Sequence, residues 1–447
     1  MSANSFFIPP SSLSTKQFSQ GSCLHPARPV LQHAQKVTKH NIQFLVVSSQ
    51  FLNQEVIRRS GNYKPSSWDY DGLQSLKSEF LEEAFVERAK KLMVDVKRKL
   101  NQAAGAVDQL ELIDTLQRLG VGYHFQSDIK SVLESIKDTE EELYAQQFTY
   151  RHLIKQLKEK TFPNYKNMAR LVSHALEMPL HWRMKRWEAR WFIDTYSMKQ
   201  DVDPLILEFA KLDFNMVQAI YQQELKDASR WWTDLGLAEA LRFSRDRIAE
   251  SYLWTTGVIF EPQFGYCRRQ LTKVNCLITT IDDVYGTLDE LKLFTDTVER
   301  WDINRMGDLP DYMKMCFMAL YNSINEMAYD VLKKSGRDIL KYLKKGDELK
   351  RGDVPKSIQC YMRETGAPEE IAREHIRGLR AKEWKKMNKC MPAPSPFPRA
   401  FKDSAIDLGR MAQFMYQHGD GHGVLADCLT RNNIMSLLVN PIPLDKL

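Results

Sequence analysis

The chain has 447 residues, of which 43% are hydrophobic, which is enough to bury a sizeable core and suggests two domains. Its net charge is +6, but the basic residues form no cluster, so the sequence does not favour a nucleic-acid-binding protein. No apolar run approaches the roughly 20 residues that a membrane-spanning helix needs. The low content of Gly (20) and Pro (18) favours an all-α protein.

The amino-terminal segment, residues 1–57, differs in composition from the rest of the chain. It contains no acidic residue before Glu55, while four lysines and arginines carry a charge of +4. It is also rich in serine, as in "PPSSLSTKQFSQGS". Acid-poor, Ser-rich and mildly basic segments of this kind are typical of organelle transit peptides, with a simple disordered tail as the alternative.

Helical periodicity dominates the remainder of the chain. Apolar residues recur at every third or fourth position over residues 205–220 and again over residues 271–285. Each stripe predicts a helix that faces the core. The segment "MKQDVDP" (198–204) interrupts two helical blocks and predicts a domain boundary within residues 190–204. The proline-rich segment "PAPSPFP" (392–398) predicts a loop.

Four groups of residues carry candidate chemistry. In chain order they are an arginine pair with a tryptophan eight residues further on, an "RDR" predicted to lie on a helix with a tryptophan two turns later, an aspartate pair, and "YQHGDGHG". Each group alone has an ordinary explanation, such as a solvated charge, a core tryptophan, a helix cap or a turn. The residues are Arg58, Arg59 and Trp68; Arg245, Arg247 and Trp254; Asp282 and Asp283; and Tyr416 and Asp420.

Together and in this order, the four groups resemble the plant terpene synthases, in particular the plastid monoterpene synthase branch. The resemblance extends over residues 58–447 through stretches such as "ELIDTLQRLGVGYHF", "HALEMPLHWR" and "RGDVPKSIQCYM". It implies two helical domains, a reduced amino-terminal α-barrel over residues 58–190 and a class I terpenoid synthase helical bundle over residues 191–447. It also implies that residues 1–57 are a transit peptide and that the protein resides in the chloroplast stroma.

The resemblance further implies a lyase that converts geranyl diphosphate to a monoterpene and releases diphosphate. Pyrophosphate leaves readily only when its charge is neutralised, which Mg²⁺ (or Mn²⁺) does as a hard Lewis acid held by carboxylates. Arg245 and Arg247 would clamp the diphosphate, and Trp254 would line a dry cavity in which aromatic faces stabilise the carbocation. The implied metal ligands are Asp282, Asp283 and Glu348.

The resemblance places the remaining candidate residues in segments that close over the active-site cavity. Tyr416 and Asp420 match a region near the lid. Arg58, Arg59 and Trp68 match the amino-terminal strand that caps the cavity in enzymes that isomerise geranyl diphosphate before cyclising it. No partner other than a small-molecule prenyl diphosphate is expected, and the sequence does not indicate an oligomeric state.

The first of three departures from the family pattern lies in the aspartate motif. The family reads Asp-Asp-x-x-Asp and, a few residues later, Tyr-Gly-Thr-Leu-Asp-Glu, whereas "DDVYGTLDE" runs directly from one to the other. Gly286 occupies the position of the third aspartate. Losing three residues would rotate the following helical segment by about 300°, so we do not expect Asp289 or Glu290 to replace the lost ligand.

The second departure removes most of the other metal motif, whose three oxygen ligands lie at i, i+4 and i+8 on one helix face. Only Glu348 survives, because the two earlier positions hold Lys344 and Leu340. "LKKG" joins directly to "DELKRGD", as if the preceding helices were missing. A triplet elsewhere has the right spacing, although it could equally be an exposed polar face. It consists of Asn322, Glu326 and Asp330.

The third departure lies in the amino-terminal domain, where "QQFTYRHLIKQLKEKTFPNYKNM" joins two family landmarks without several intervening helices. This loss predicts exposed apolar faces. All three gaps keep the reading frame, which is typical of exon skipping, alternative splicing or an erroneous gene model. We therefore expect impaired activity. The alternatives are a non-catalytic truncated isoform or gene-model artefact, and a cytosolic sesquiterpene synthase using farnesyl diphosphate, which the Arg-Arg-Trp element disfavours.

Overall fold

The computed structural model describes eight stretches of the chain, and within them it contains helices and no strand. The predicted all-α fold is therefore confirmed. The calls on Arg58, Arg59, Gly286, Lys344, Glu348 and Asp420 lie outside the described residues. The described stretches are residues 65–103, 105–136, 165–284, 288–340, 357–391, 394–418, 421–422 and 427–444.

The described residues form sixteen α-helices. The first eight are α1 (Tyr70–Ser75), α2 (Glu83–Gln102), α3 (Ala106–Arg118), α4 (Gln126–Ile136), α5 (Tyr165–Glu177), α6 (Lys185–Tyr196), α7 (Pro204–Leu235) and α8 (Leu237–Ala240). The others are α9 (Ile248–Val258), α10 (Gly265–Val284), α11 (Leu288–Arg300), α12 (Asp311–Ser335), α13 (Ser357–Thr365), α14 (Glu369–Cys390), α15 (Arg399–Tyr416) and α16 (Asp427–Ile434), which a π-helical turn (Met435–Val439) follows.

The helix α7 lies at the centre of this arrangement. Its start is well defined, because Pro204 occupies the first helical position and the Asp203 carboxylate accepts from the backbone N–H of Leu205 and Ile206. It ends at Gly236, whose φ of 69° is the left-handed conformation that glycine adopts most readily. The predicted stripe over residues 205–220 is largely buried, and helices α1, α2, α9 and α10 all pack against α7. The break before α7 falls at residues 197–203, within the predicted "MKQDVDP" interruption.

Ion pairs and hydrogen bonds attach the amino-terminal helices to α7. Arg88 on α2 donates from Nε and Nη2 to the two carboxylate oxygens of Glu208, at 2.7 and 2.6 Å. The Gln74 side chain on α1 donates to the Lys226 carbonyl (3.0 Å). A two-pronged arginine–carboxylate contact fixes orientation as well as distance. The amino-terminal helices α1 and α2 are therefore attached along one side of α7.

A buried ion pair joins α7, α9 and α10. Arg268 on α10 is 0% exposed, and its Nε and Nη2 atoms each donate to Glu224 on α7 at 2.8 Å. Its Nη1 atom donates to the carbonyls of Ile259 and Glu261, and the Tyr252 hydroxyl on α9 donates to Glu224. Although burial disfavours the charged form, these contacts with Glu224 raise the pKa of Arg268 above its ordinary value.

The helix α10 exists as predicted, but its apolar stripe does not face the core throughout. The prediction is wrong for Ile278, which is 47% exposed. The packed side of α10 instead carries small residues such as Thr272 and Cys276, and the Thr272 hydroxyl lies 2.7 Å from that of Thr255 on α9. Because Ile278 lies four residues before Asp282, the stripe shares a helix face with the aspartate pair. Tyr285, the last residue of the stripe, lies outside the described residues.

Apolar residues are exposed on both sides of residues 137–164, the region of the third departure. Leu133 on α4 is 37% exposed and Leu176 on α5 is 81% exposed. These exposures agree with the prediction that missing helices would uncover apolar faces. Residues 394–398 form a loop, as the prolines predict. In the stretches that the structure describes, no helix is long and apolar enough to cross a membrane.

The substitution Arg268→Met tests the buried ion pair. It would leave the Glu224 carboxylate buried without its cation, and we expect a loss of about 3–5 kcal/mol in the free energy of unfolding. Urea denaturation followed by circular dichroism measures this change. The control is Lys386→Met, which removes the exposed ion pair with Glu383 and should cost less than about 1 kcal/mol. Equal losses in the two variants would contradict the structural role assigned to Arg268.

Candidate functional site

The RDR segment lies in a turn that leads into α9, so the prediction that Arg245 and Arg247 lie on a helix is wrong. Arg247 has a φ of −139° and a ψ of 44°, and the helix begins only at Ile248. The Asp246 carboxylate accepts from the Trp232 indole N–H (2.9 Å). Desolvation raises the pKa of Asp246, and the bond to Trp232 and the charge of Arg247 oppose this shift. The helix begins only after the RDR segment, because Arg247 occupies the non-helical flanking position.

Arg245 binds Asp283, and the two predicted site groups therefore meet. The Arg245 backbone N–H donates to Asp283 Oδ2 (2.7 Å), and its Nε lies 3.1 and 2.9 Å from Oδ1 and Oδ2. Its Nη2 lies 2.9 Å from Oδ1, and the Asp283 side chain is only 6% exposed. Both carboxylate oxygens of Asp283 are thus engaged in charge-assisted hydrogen bonds with one arginine.

The neighbouring carboxylate, Asp282, lies on the exposed side of α10. Desolvation around its carboxyl group raises the pKa of Asp282, Arg245 opposes this shift, and the like charge of Asp283 adds to it. The two aspartates therefore occupy different environments. Asp283 is held by a cation inside the protein, whereas Asp282 faces outward.

These residues do not fit a magnesium cluster. Across the described ranges, no group of three His, Cys, Asp or Glu side chains is arranged to hold a metal ion. Mg²⁺ prefers octahedral coordination by oxygen ligands, and one of the two aspartates present already binds Arg245. Glu348 and Gly286 lie outside the described residues. Asp282 and Asp283 have no third carboxylate beside them among the described residues, so these two do not form the predicted magnesium site by themselves.

The alternative triplet on α12 has partners of its own. Glu326 Oε2 lies 2.9 Å from Lys273 Nζ, and Asp330 Oδ2 accepts from the Tyr266 hydroxyl (2.7 Å). Asn322 is exposed. Tyr266 lies near the start of α10 and is separated from Asp283 by about 25 Å at a rise of about 1.5 Å per residue. Glu326 and Asp330 are therefore engaged with α10, and Asn322 is exposed to solvent. Asp330 lies far from the aspartate pair.

The acidic residues at the start of α11 do not complete the site either. Glu290 accepts a hydrogen bond from the Tyr312 hydroxyl on α12 (2.5 Å), and the Tyr312 ring contacts Phe243 edge to face. Asp289 is exposed. This agrees with the expectation that neither residue replaces the lost aspartate.

An aromatic group surrounds the predicted cavity tryptophan. The Trp254 ring lies 6.1 Å from that of Tyr416 at the end of α15 and 5.9 Å from that of His422. Arg247 Nε donates to the His422 carbonyl (3.2 Å). The structure therefore brings Arg247, Trp254 and Tyr416 together, and their roles in the site remain a prediction. Sequence reasoning missed His422, although its place in "GDGHG", two residues after Asp420, was an available signal.

Trp68 lies two residues before α1, and its backbone N–H donates to Ser66 Oγ (3.2 Å). On α1 itself, Gln74 contacts Lys226 in the carboxyl-terminal half of α7. The predicted cap formed by Trp68 with Arg58 and Arg59 remains a prediction.

Comparisons with known proteins agree with this architecture. The family model "Terpene synthase, N-terminal domain" matches residues 67–146, and "Terpene synthase family, metal binding domain" matches residues 233–346 and 345–386. The chain is 42% identical to (-)-alpha-terpineol synthase of Vitis vinifera, over 87% of this chain and 91% of that protein. The chain belongs to the terpene synthase family. As a family member it is a lyase-type enzyme of the monoterpene synthase group, whose family domain binds metal.

Other relatives extend the comparison. Myrcene synthase, chloroplastic, of Quercus ilex is 40% identical over 91% of this chain and 93% of that protein. A crystal structure of limonene synthase with 2-fluorolinalyl diphosphate matches with a TM-score of 0.78 and 31% identity, over 87% of this chain and 100% of that chain. Isoprene synthase from grey poplar, in complex with three Mg²⁺ ions and dimethylallyl-S-thiolodiphosphate, matches with a TM-score of 0.70, 34% identity and coverages of 85% and 99%.

The comparisons also locate the departures from the family pattern. The alignment with the Vitis protein spans 543 positions, but 87% of 447 residues is only about 389, so about 154 positions have no counterpart in this chain. The match to the metal-binding domain breaks at residues 345–346, where the sequence predicts missing helices. The amino-terminal match ends at residue 146, next to the third predicted gap. This terpene synthase therefore lacks internal segments that its relatives possess.

Titration with Mn²⁺ tests whether Arg245 blocks the aspartate pair. We expect weak binding to the natural chain and at least about threefold tighter binding to Arg245→Met, because Asp283 is released and a repelling charge is removed. Electron paramagnetic resonance of free Mn²⁺ measures both affinities, with circular dichroism to verify the fold. The control Arg242→Met removes an exposed charge from the same turn. Equal tightening in both variants would show a general charge effect and contradict the assigned role of Arg245.

Proposed function

We propose that the chain derives from a monoterpene synthase that acts on geranyl diphosphate, and that its own turnover is severely reduced. The observation that carries the second part is the engagement of both Asp283 oxygens by Arg245, with no third described ligand to gather metal ions beside them. The names of its relatives, terpineol and myrcene synthases, support the ten-carbon substrate. The metal of the intact ancestor would be Mg²⁺, as in the isoprene synthase complex.

The residues retained by this chain support substrate binding better than catalysis. Arg245 and Arg247 flank the aspartate end of α10 and would bind the diphosphate through planar, permanently charged groups. The aromatic rings of Trp254 and Tyr416 would hold the hydrocarbon chain and exclude water from it. Losing one electrostatic stabiliser typically costs about 10²–10³ in rate, and this chain lacks several.

The domain limits and the location belong to the same proposal. We assign residues 58–190 to the amino-terminal helical domain and residues 191–447 to the metal-binding domain, both incomplete. The family matches at residues 67–146 and 233–386 support this division. We assign residues 1–57 to a plastid transit peptide and the mature protein to the chloroplast stroma. The absence of acidic residues before Glu55 and the chloroplastic names of relatives support this assignment.

The second candidate function is a non-catalytic isoform. The in-frame gaps, which together remove about 154 aligned positions, favour it, because they follow family landmarks instead of scattering through the chain. Such a chain would keep the helical core and the arginines while lacking the segments that complete the site. A farnesyl diphosphate enzyme is less well supported, since the terpineol and myrcene synthases named above are monoterpene synthases.

An assay with geranyl diphosphate and Mg²⁺ tests the proposed loss of turnover. We expect the purified chain to give no monoterpene above a boiled control when the products are analysed by gas chromatography. The Vitis terpineol synthase, assayed in parallel, serves as the positive control, and farnesyl diphosphate as the alternative substrate. Clear monoterpene peaks would overturn the proposal of impaired activity, and a sesquiterpene would overturn the substrate.

Sequencing the complete transcript tests the origin of the gaps. We expect a longer message that restores about 154 codons at the three predicted positions, because intact family sequence flanks each gap. A protein expressed from that message should regain monoterpene formation in the same assay. A transcript that matches the present chain throughout would show that the gaps are genuine and would exclude a gene-model artefact.

A further inference from the structure

The turn that carries the two site arginines is attached to three different elements by three consecutive residues. Arg245 binds Asp283 at the end of α10, and Arg247 donates to the His422 carbonyl. Asp246, between them, accepts from the indole N–H of Trp232 on α7 (2.9 Å). The first and third contacts use the very side chains that would bind a diphosphate. The Arg245 backbone N–H also donates to Asp283, and the contact of Asp246 ties the turn to α7 without using either arginine side chain.

The Asp246–Trp232 contact is built into the protein interior. Trp232 is 4% exposed and lies in the last turns of α7. Helices α1, α2, α9 and α10 pack against α7. The positive charge of Arg247 and the backbone N–H of Ile248, at the start of α9, also favour the charged form of the Asp246 carboxylate. The Asp246 carbonyl in turn accepts from Arg247 Nη1 (2.8 Å). Asp246 thus connects the end of one helix, the start of the next and one of the arginines.

We propose that Asp246 is a positioning residue, which through its bond to Trp232 holds the turn so that Arg245 and Arg247 point at a bound diphosphate. The proposal rests on the proposed function, in which these arginines bind diphosphate. When a diphosphate binds, Arg245 exchanges Asp283 for phosphate oxygens and Arg247 adjusts to reach them. The turn then keeps its place through contacts that do not use the arginine side chains. The bond between Asp246 and Trp232 is such a contact, and it lowers the conformational entropy that the turn would otherwise lose when a diphosphate binds.

Calorimetric titration with inorganic pyrophosphate tests the proposal. We expect Asp246→Ala to raise the dissociation constant by about tenfold, the effect of losing one charge-assisted bond that orders the arginines. Asp246→Asn should lose less, because its amide oxygen can still accept from Trp232. Trp232→Phe, which keeps an aromatic ring but removes the N–H donor, should resemble Asp246→Ala. The matched control is Trp231→Phe, one residue earlier, which should bind pyrophosphate as the natural chain does.

Hydrogen exchange provides a readout that does not depend on pyrophosphate. We expect the amides of Arg245 and Ile248 to exchange faster in Asp246→Ala and Trp232→Phe, while peptides from α2 exchange as in the natural chain. An effect spread evenly over both regions would indicate general destabilisation and overturn the proposal. Unchanged exchange and unchanged pyrophosphate affinity in both variants would also overturn it. If the natural chain fails to bind pyrophosphate, the proposed function fails, while exchange at the turn still decides whether Asp246 positions it.

Discussion

The arrangement of the site depends on the buried contact between Glu224 and Arg268. It fixes the first turn of α10 against α7 and α9, and the rigid helix carries that alignment over about 21 Å to Asp282. Burying two charges is costly, and the contact is sustained because six hydrogen bonds satisfy the guanidinium or its carboxylate partner. The fit is close: a Cβ atom on Gly265 would lie 2.5 Å from Glu224 Oε1. A glycine at the start of α10 is therefore required by its neighbour.

The opposite end of α10 shows what a buried carboxylate does when its site is incomplete. Asp283 is 6% exposed, and a carboxylate in that position needs a positive charge nearby. In an intact metal site divalent ions would supply it. Here the nearest fixed cation, Arg245, does so through its side chain and its backbone N–H. Arg245, which would bind the diphosphate, therefore binds Asp283, which would bind the metal ion. The two opposite charges cancel each other when neither diphosphate nor metal is bound.

Local patterns in the sequence predict the helices, but they do not predict which side of each helix packs against its neighbours. The stripe over residues 271–285 correctly gave a helix, yet periodicity cannot say whether an apolar face meets a neighbour or an opening, and Ile278 is exposed. The RDR segment was placed on a helix because nothing in its spacing reveals that Asp246 bonds to Trp232, fourteen positions earlier. The aspartate pair and Trp254 can be proposed from the sequence because their chemistry is specific. His422 was missed because its role depends on the return of the chain after α15.

The loss of internal segments separates fold from function in physical terms. The chain still matches limonene synthase with a TM-score of 0.78, because α7, α9 and α10 remain packed against one another and against α1, α2, α12 and α15. A metal cluster is different, since its ligands come from separate helices and each ion needs several oxygens at once. Removing one contributing helix leaves the packing of the others favourable but takes away ligands that no neighbour can supply. The fold therefore tolerates the gaps, whereas the proposed loss of turnover follows from the dependence of a metal site on ligands from several distant segments.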